Sequence, residues 1–357
     1  MREATLTLRR DSLLHNTRRV RELAPATRVL AMVKADAYGH GALTVAAQLT
    51  PHVDALGVAY LDEGLALRDA GISAPIVVME GVFSAYELAS ARAKGMHVMV
   101  HQASQLQLLE ENPGLSPLPV WLKVDSGMHR LGFRPDEVPE VYRRLESLPG
   151  VSPVILTSHF ACADLPGHPM TARQLETMRT LHRALPAMPL SLANSAAILT
   201  MPETHGQWVR PGIMLYGSSP FADRSAESLG LQPVMTLRSR VIALRDIAAG
   251  ESVGYGATWT AEKPSRIGVI AIGYGDGYPR HAPTGTPVLV NDRIVPLVGR
   301  VSMDMITVDL ADLEVSVGDE AVLWGEGLSA DIIAAHAGTI SYTLFCQVTA
   351  RVAREWV

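Results

Sequence analysis

Lys34 ends the apolar run RVLAMVK (28–34), and the chain turns straight afterwards through Asp36, Tyr38, Gly39, His40 and Gly41. A lysine at a strand tip commonly stretches its alkyl stem and keeps its ammonium in water. A desolvated one gives up its proton more readily and becomes a nucleophile that condenses with carbonyls. Other apolar runs also end on polar groups. VWLKVD carries Lys123, with Arg130 a few residues on. VILTSH leads into His159, LSLAN into Asn194 and Ser195, and WVRPG holds Arg210 ahead of Gly212 and Ile213. Each side chain has a structural use on its own. Chemistry becomes the better reading once a single element pattern gathers them.

The sequence has that pattern. From residue 28 to about 217, the runs 28–34, 55–60, 75–80, 97–101, 120–125, 154–159, 190–194 and 208–212 alternate with segments such as LDEGLALRDAG, ASQLQLLEEN and TARQLETMRTLHRAL, whose apolar residues recur at three and four. Strand–helix alternation predicts parallel strands with right-handed crossovers, and eight such units predict a closed TIM-type (β/α)8 barrel. After residue 230, strand-like runs (VMTLRSRVIAL, SRIGVIAIGY, TPVLVNDRIVPLVG, MITVDL, EAVLWG) follow one another between Gly, Pro and Asp turns, and only DIIAAHAGT has a helical pattern. The expected fold class is α/β, with a barrel domain over 1–230 and a mostly β C-terminal domain over 231–357. EATLTLRRDSL alternates like a strand and fits either half, while LRRDSLLHNTRRVRE reads as a helix with a solvated basic face.

In such a barrel the C-terminal strand ends build the reactive face, which puts Lys34, Lys123, Arg130, His159, Asn194, Ser195 and Arg210 on one rim. Imine chemistry at that rim points to pyridoxal phosphate (PLP), which needs a phosphate cradle, a partner for its ring nitrogen and walls for its ring. The loops after the last two strands offer the cradle, through the hydroxyl and backbone N–H groups of Asn194, Ser195, Gly212 and Ile213. Arg210 is permanently charged and suits a pyridine nitrogen kept unprotonated, which restrains the ring as an electron sink.

Composition narrows the partners. The 357 residues are 48% hydrophobic and 19% charged, with a net charge of -5 and no block of Lys or Arg, which argues against a nucleic-acid surface. Cys162 and Cys346 match neither a metal spacing nor a disulfide framework, so a reducing, cytoplasmic setting is expected. No apolar signal core or membrane-length apolar window occurs. GYGDGYP is not GxGxxG, and His159, Asp164 and His168 lack regular ligand spacing, so neither a nucleotide nor a metal site is expected.

VKADAYGHG, LKVDSGMHRLGF, SHFACAD, LANSAAIL, VRPGIMLYG, VGYGATW, IGYGDGYPR and VSMDM, in this order, resemble the alanine racemase family over nearly the whole chain. The resemblance implies a PLP-binding barrel followed by a β domain, acting as a homodimer that interconverts L- and D-alanine for peptidoglycan or for catabolism. It assigns Lys34 to the imine link with PLP, and Tyr38, Ser195, Gly212, Ile213 and Tyr342 to the phosphate. Arg210 would face the pyridine nitrogen and His159 would pack against the ring. Arg130 would contact the cofactor's phenolic oxygen and the substrate carboxylate. Lys123 matches a position often carbamylated in the family, where an anion orients Arg130; left as an ammonium it would repel Arg130. Racemisation takes a proton from one face of a planar carbanion and returns one to the other, which calls for two bases. Lys34 would act on D-alanine, and Tyr255, contributed by the partner subunit, on L-alanine. A tyrosine near its free pKa of about 10 is a poor base, so Tyr255 needs a neighbouring charge or hydrogen bond, for which His159 and Arg210 are candidates. Met303 would offer its backbone N–H to the substrate carboxylate, with Asp304 in support. Tyr274 and Tyr342 would narrow the entrance, and Asp164, Arg280 and Arg300 would line its corridor. Ser302 departs from the cysteine that many relatives carry there.

Four other readings compete. A racemase of broader or serine preference is the nearest. A decarboxylase of the same architecture would cradle phosphate with three glycines in a row, and this chain has no two adjacent. A D-amino-acid aldolase would call for a metal site in the second domain. A non-catalytic PLP-binding protein would resemble the barrel alone.

Overall fold

The computed structural model describes residues 3–185 and 188–357. The chain divides into two compact units, one of Asn16–Leu215 and one of Met1–His15 with Tyr216–Val357. The first strand, β1 (Thr5–Leu8), belongs to the second of these.

Asn16–Leu215 is the barrel. Its parallel strands are β2 (Arg28–Met32), β3 (Ala55–Val58), β4 (Ile76–Val78), β5 (His97–Val100), β6 (Leu118–Lys123), β7 (Val151–Thr157), β8 (Leu190–Ser191) and β9 (Trp208–Val209). Each pairs with the next, and the circle closes where Arg28 meets Trp208 and Val29 meets Val209. All eight expected strands are present. β8 and β9 are only two residues long, and Asn194 and Arg210 lie just beyond them. Strand residues such as Leu30, Leu56, Ile76 and Leu122 are fully buried, as expected for a parallel sheet covered on both faces.

The other unit is mostly sheet. It contains β10 (Met235–Ile247), β11 (Ser252–Val253), β12 (Trp259–Thr260), β13 (Ser265–Ile270), β14 (Pro287–Val290), β15 (Arg293–Pro296), β16 (Ile306–Asp309), β17 (Glu320–Trp324) and β18 (Ala353–Trp356). The main path runs β15-β14-β17-β10-β1-β18, with β13 pairing β10 and β16. β1 lies antiparallel to β10 and parallel to β18, which places the N-terminal strand with the second unit. The compact units therefore meet at 215/216, whereas the sequence reading draws its boundary at 230. Among the described residues after 230, two α-helices occur where the sequence pattern predicts one: Ala330–His336, as read from the sequence, and Ser341–Cys346. Aromatic and β-branched residues make SYTLFC look extended, yet Ser341, Leu344 and Phe345 bury one face at helical spacing. No described helix is long and apolar enough to cross a membrane.

Candidate active site

Directly after β2 the backbone does something rare. Ala35, Asp36, Ala37 and Tyr38 all hold left-handed helical angles, with φ between 52° and 55°. Such angles cost roughly 1–2 kcal/mol per non-glycine residue, so the surroundings must impose them. Several anchors do. Ala35 N–H donates to Glu63 Oε1 (2.7 Å), Ala42 N–H to Asp36 Oδ1 (2.7 Å) and Gly41 N–H to the Asp36 carbonyl (2.9 Å). Glu63 also accepts from Ala59 N–H at 2.6 Å, so one carboxylate joins this turn to the loop after β3. The segment starts with Lys34, which is half-buried, and delivers Tyr38 into the interior.

Tyr38 meets the loops after β8 and β9 at Gly212. A Cβ on Gly212 would fall 2.6 Å from the Tyr38 hydroxyl, so only glycine admits the phenol there. Ser195 Oγ accepts from Gly212 N–H (2.9 Å) and from Met214 N–H (3.4 Å), which leaves its own proton to donate. Between them, Ile213 N–H opens the turn Ile213–Tyr216 and has no partner inside it. Asn194 has a capping duty: its Oδ1 accepts from Ala197 N–H at 3.1 Å and starts the helix Ser195–Thr200. These donors have the polarity that a phosphate calls for.

Arg210 is buried beside the cradle. Nη1 donates to the Ser191 carbonyl (2.8 Å), Ser191 Oγ (2.7 Å) and Thr157 Oγ1 (3.2 Å), while Nη2 donates to the Ser158 (2.6 Å) and Leu192 (3.2 Å) carbonyls. No carboxylate among the described residues pairs with it, and burial pulls its pKa down to about 10. Nη2 also lies 3.4 Å from His159 Nδ1. A guanidinium only donates, so Nδ1 accepts and the ring proton sits on Nε2. Burial, reinforced by the charge of Arg210, holds His159 well below the ordinary histidine range, and the ring is neutral.

The strongly desolvated lysine of the rim is Lys123, not Lys34. Lys123 closes β6 and is 8% exposed. Burial first, then the positive charges of Arg210 and Arg130, push it down to about 7, with Glu80 opposing. Arg130 and Asp164 are exposed, on the loops after β6 and β7.

Gln174 went unnoticed in the sequence because it sits in an ordinary amphipathic run. It is buried in the helix Pro169–Ala184. Its amide oxygen accepts from Ala161 N–H (2.9 Å), and its amide nitrogen donates to the His159 carbonyl (2.9 Å) and Ser126 Oγ (3.1 Å). One side chain thus ties the loop leading to Arg130 to the loop holding His159.

The remaining expected residues lie in the sheet unit. Tyr255 sits at the tip of the β11–β12 hairpin, 68% exposed, between Gly254 and Gly256, whose φ angles are 75° and 73°. A Cβ on Gly256 would lie 3.4 Å from Arg300 Nη1, so within this unit the cation beside the Tyr255 turn is Arg300. Tyr274 and Met303 occupy two turns in backbone contact: Tyr274 N–H donates to the Ser302 carbonyl (3.1 Å) and Gly275 N–H to the Met303 carbonyl (2.8 Å). Met303 N–H makes no hydrogen bond among the described residues. Arg280 and Asp304 are exposed, and Tyr342 is half-buried in Ser341–Cys346.

A closed (β/α)8 barrel with a lysine-led turn and an anion cradle on its C-terminal rim, joined in one chain to a β unit, defines a barrel enzyme of amino-acid chemistry. Residues 8–220 match the family described as "Alanine racemase, N-terminal domain" and residues 234–356 match "Alanine racemase, C-terminal domain". The alanine racemase of Photobacterium profundum is 49% identical over 356 residues, covering 99% of each chain, and the biosynthetic alanine racemase of Escherichia coli is 49% identical over the whole of both. The crystal structure of biosynthetic alanine racemase from Pseudomonas aeruginosa superposes with a TM-score of 0.96 at 49% identity, and the structure of alanine racemase from Acinetobacter baumannii with 0.96 at 41%, each covering both chains completely. The chain belongs to the alanine racemase family and is an amino-acid racemase.

Proposed function

We propose that the rim holds pyridoxal 5'-phosphate on Lys34 and that a cytoplasmic homodimer interconverts L- and D-alanine with two proton-transfer groups, Lys34 and Tyr255. The observation that carries this reading is the cradle itself, in which the Tyr38 hydroxyl at Gly212, Ser195 Oγ and the open Ile213 N–H converge. Those donors fit a phosphate, and Tyr342 is assigned to the same group. Arg210, a pure donor with no carboxylate, fits an unprotonated pyridine nitrogen. When bound, the cofactor supplies the electron sink that acidifies the α-proton of an amino acid.

This chain's residues do the rest. Neutral His159 walls the ring, and Gln174 fixes its backbone. Arg130 and the Met303 N–H take the substrate carboxylate, Asp304 supports that turn, and Tyr274 restricts the space for a side chain. Asp164, Arg280 and Arg300 line the approach. Lys34 holds the α-proton on one side and Tyr255 of the partner subunit on the other, because a base on one face cannot serve both. Lys123, pushed down to about 7, is in part a free amine at neutral pH, and adding CO2 with loss of the amine proton would leave a carbamate anion to hold Arg130.

The test is alanine in D2O with PLP and bicarbonate, following chirality and α-deuterium together. Deuterated D-alanine from L-alanine is expected, with exchange lost in Lys34→Ala and Tyr255→Phe. Retention of exchange and inversion in both variants would overturn the reading. Omitting bicarbonate is expected to lower the rate, and an unchanged rate would remove CO2 from Lys123.

A further inference from the structure

The turn bearing Met303 draws its support from the turn beside it, whose Tyr274 and Gly275 N–H groups donate to the Ser302 and Met303 carbonyls. It lies between strands, and its internal bond is Ser302 N–H to the Met305 carbonyl at 3.0 Å. Its neighbour is the turn of Gly273, Tyr274, Gly275 and Asp276, so close that a Cβ on Gly273 would fall 2.3 Å from the Ser302 carbonyl oxygen and 2.4 Å from that of Met303. Across both turns lies Arg351, a residue to which the sequence reading gave no role. Nη2 bonds Asp304 Oδ1, and Nε lies 3.6 Å from Asp276 Oδ1. A Cβ on Gly275 would sit 2.0 Å from Arg351 Nη1, so the guanidinium rests on that glycine. Thr349 secures the base of the arrangement: its N–H donates to the Asp276 carbonyl and its Oγ1 to the Gly275 carbonyl, each at 3.0 Å.

The two carboxylates differ. Asp276 is completely buried and accepts from Gly273 N–H at 3.1 Å, whereas the Asp304 side chain is 51% exposed. An exposed ion pair contributes little to stability. The Asp304 arm therefore acts mainly on geometry: it fixes the residue that follows Met303 and so the direction of the Met303 N–H, which makes no hydrogen bond among the described residues. Small displacements of a binding group weaken it steeply.

We propose that Arg351 is a positioning residue for the substrate's carboxylate, its guanidinium clamped between Asp276 and Asp304 across Gly275 so that the Met303 N–H stays aimed and unpaired. The inference rests on the reading of Met303 as a carboxylate donor. Arg351→Met strands the buried Asp276 and endangers folding. The informative variants are Asp304→Ala, Gly275→Ala and Arg351→Lys, measured as PLP-loaded holoenzyme. Gly275 is not in the left-handed region, but a Cβ there would also lie 3.0 Å from the Met303 carbonyl oxygen. Its alanine variant therefore presses on the guanidinium and the Met303 turn together, and Asp304→Ala is the variant that tests the clamp alone.

Asp304→Ala and Gly275→Ala are expected to raise KM for alanine about 10-fold or more, with kcat, cofactor absorbance and thermal midpoint near wild type, and Arg351→Lys to fall between. Midpoints that drop while KM stays fixed would reduce Arg351 to a structural counter-ion and overturn the proposal. A separate variant replaces the 302–303 amide with an ester, removing the Met303 N–H while keeping the Ser302 carbonyl as a weaker acceptor for Tyr274 N–H. If the ester raises KM and the clamp variants do not, the role of Arg351 fails alone. If the ester leaves KM unchanged, the reading of Met303 fails, and the proposal with it.

Discussion

At Gly212 a single hydrogen atom decides whether the cradle can exist. The glycine is not in the left-handed region, so alanine would fit its backbone, yet the added Cβ would fall 2.6 Å from the Tyr38 hydroxyl. Gly212→Ala should therefore displace the phenol and little else. Losing one donor to a doubly charged phosphate weakens binding by about 10- to 100-fold. Titration of the apoenzyme with PLP, followed by visible absorbance, is expected to show that loss with a near-normal unfolding midpoint, and unchanged affinity would take Tyr38 out of the cradle. Residues of this kind were legible in the sequence where type and position agreed: Lys34, His159 and Arg210 are polar groups ending apolar strands. Gln174 and Arg351 were not, because their meaning lies in partners far along the chain. Nor was the left-handed turn, since nothing in ADAY announces positive φ and the anchors that impose it include Glu63, well downstream.

The strands were readable because a fully covered parallel sheet writes itself as short apolar runs. WVRPG, which becomes β9, is the faintest of the eight runs, because only two of its residues lie in the sheet. The β1 pattern was equally clear, but alternation states that one face is buried and not which sheet buries it. β11, β12 and β18 are too short or too polar to show a period, and Ser341–Cys346 is too short a helix to outweigh its strand-like composition. At this scale β5 and β6 carry a pH-dependent contact. His97, the first residue of β5, accepts the Trp121 indole N–H of β6 at 3.4 Å. Burial first, then the charge of Arg68, lowers its pKa to about 4. The unfolded chain protonates this histidine near 6.5 and the folded chain only near 4, so its contribution is complete above about pH 6.5 and is lost as pH falls toward 4. His97→Gln should remove about 2 kcal/mol of the stability change between pH 7 and pH 5. Urea unfolding at both values checks this, and parallel curves for variant and wild type would exclude His97 from the acid limb.

The whole molecule raises a different question, because Lys34 and Tyr255 belong to different compact units. Tyr255 is 68% exposed, Met303 52% and Met305 42% on the sheet unit, while Tyr60 and Phe83 stand at 56% and 53% on loops of the barrel unit. Exposed apolar groups of this kind, on either unit, suit a surface that another chain covers. If Tyr255 serves the Lys34 of its partner, each site takes one group from each chain, and the two defects complement. A heterodimer of a Lys34→Ala chain with a Tyr255→Phe chain holds one doubly broken site and one in which Lys34 and Tyr255 are both intact. Mixing the inactive variants and letting subunits exchange should then restore roughly a quarter of wild-type activity, since half the dimers are mixed and each carries one working site. If Tyr255 instead serves Lys34 of its own chain, every site in the mixture retains a defect and no activity returns. Because the single variants control for folding and cofactor loading, the regained rate measures the chain of origin of Tyr255 directly, and with it whether the dimer is part of the chemistry.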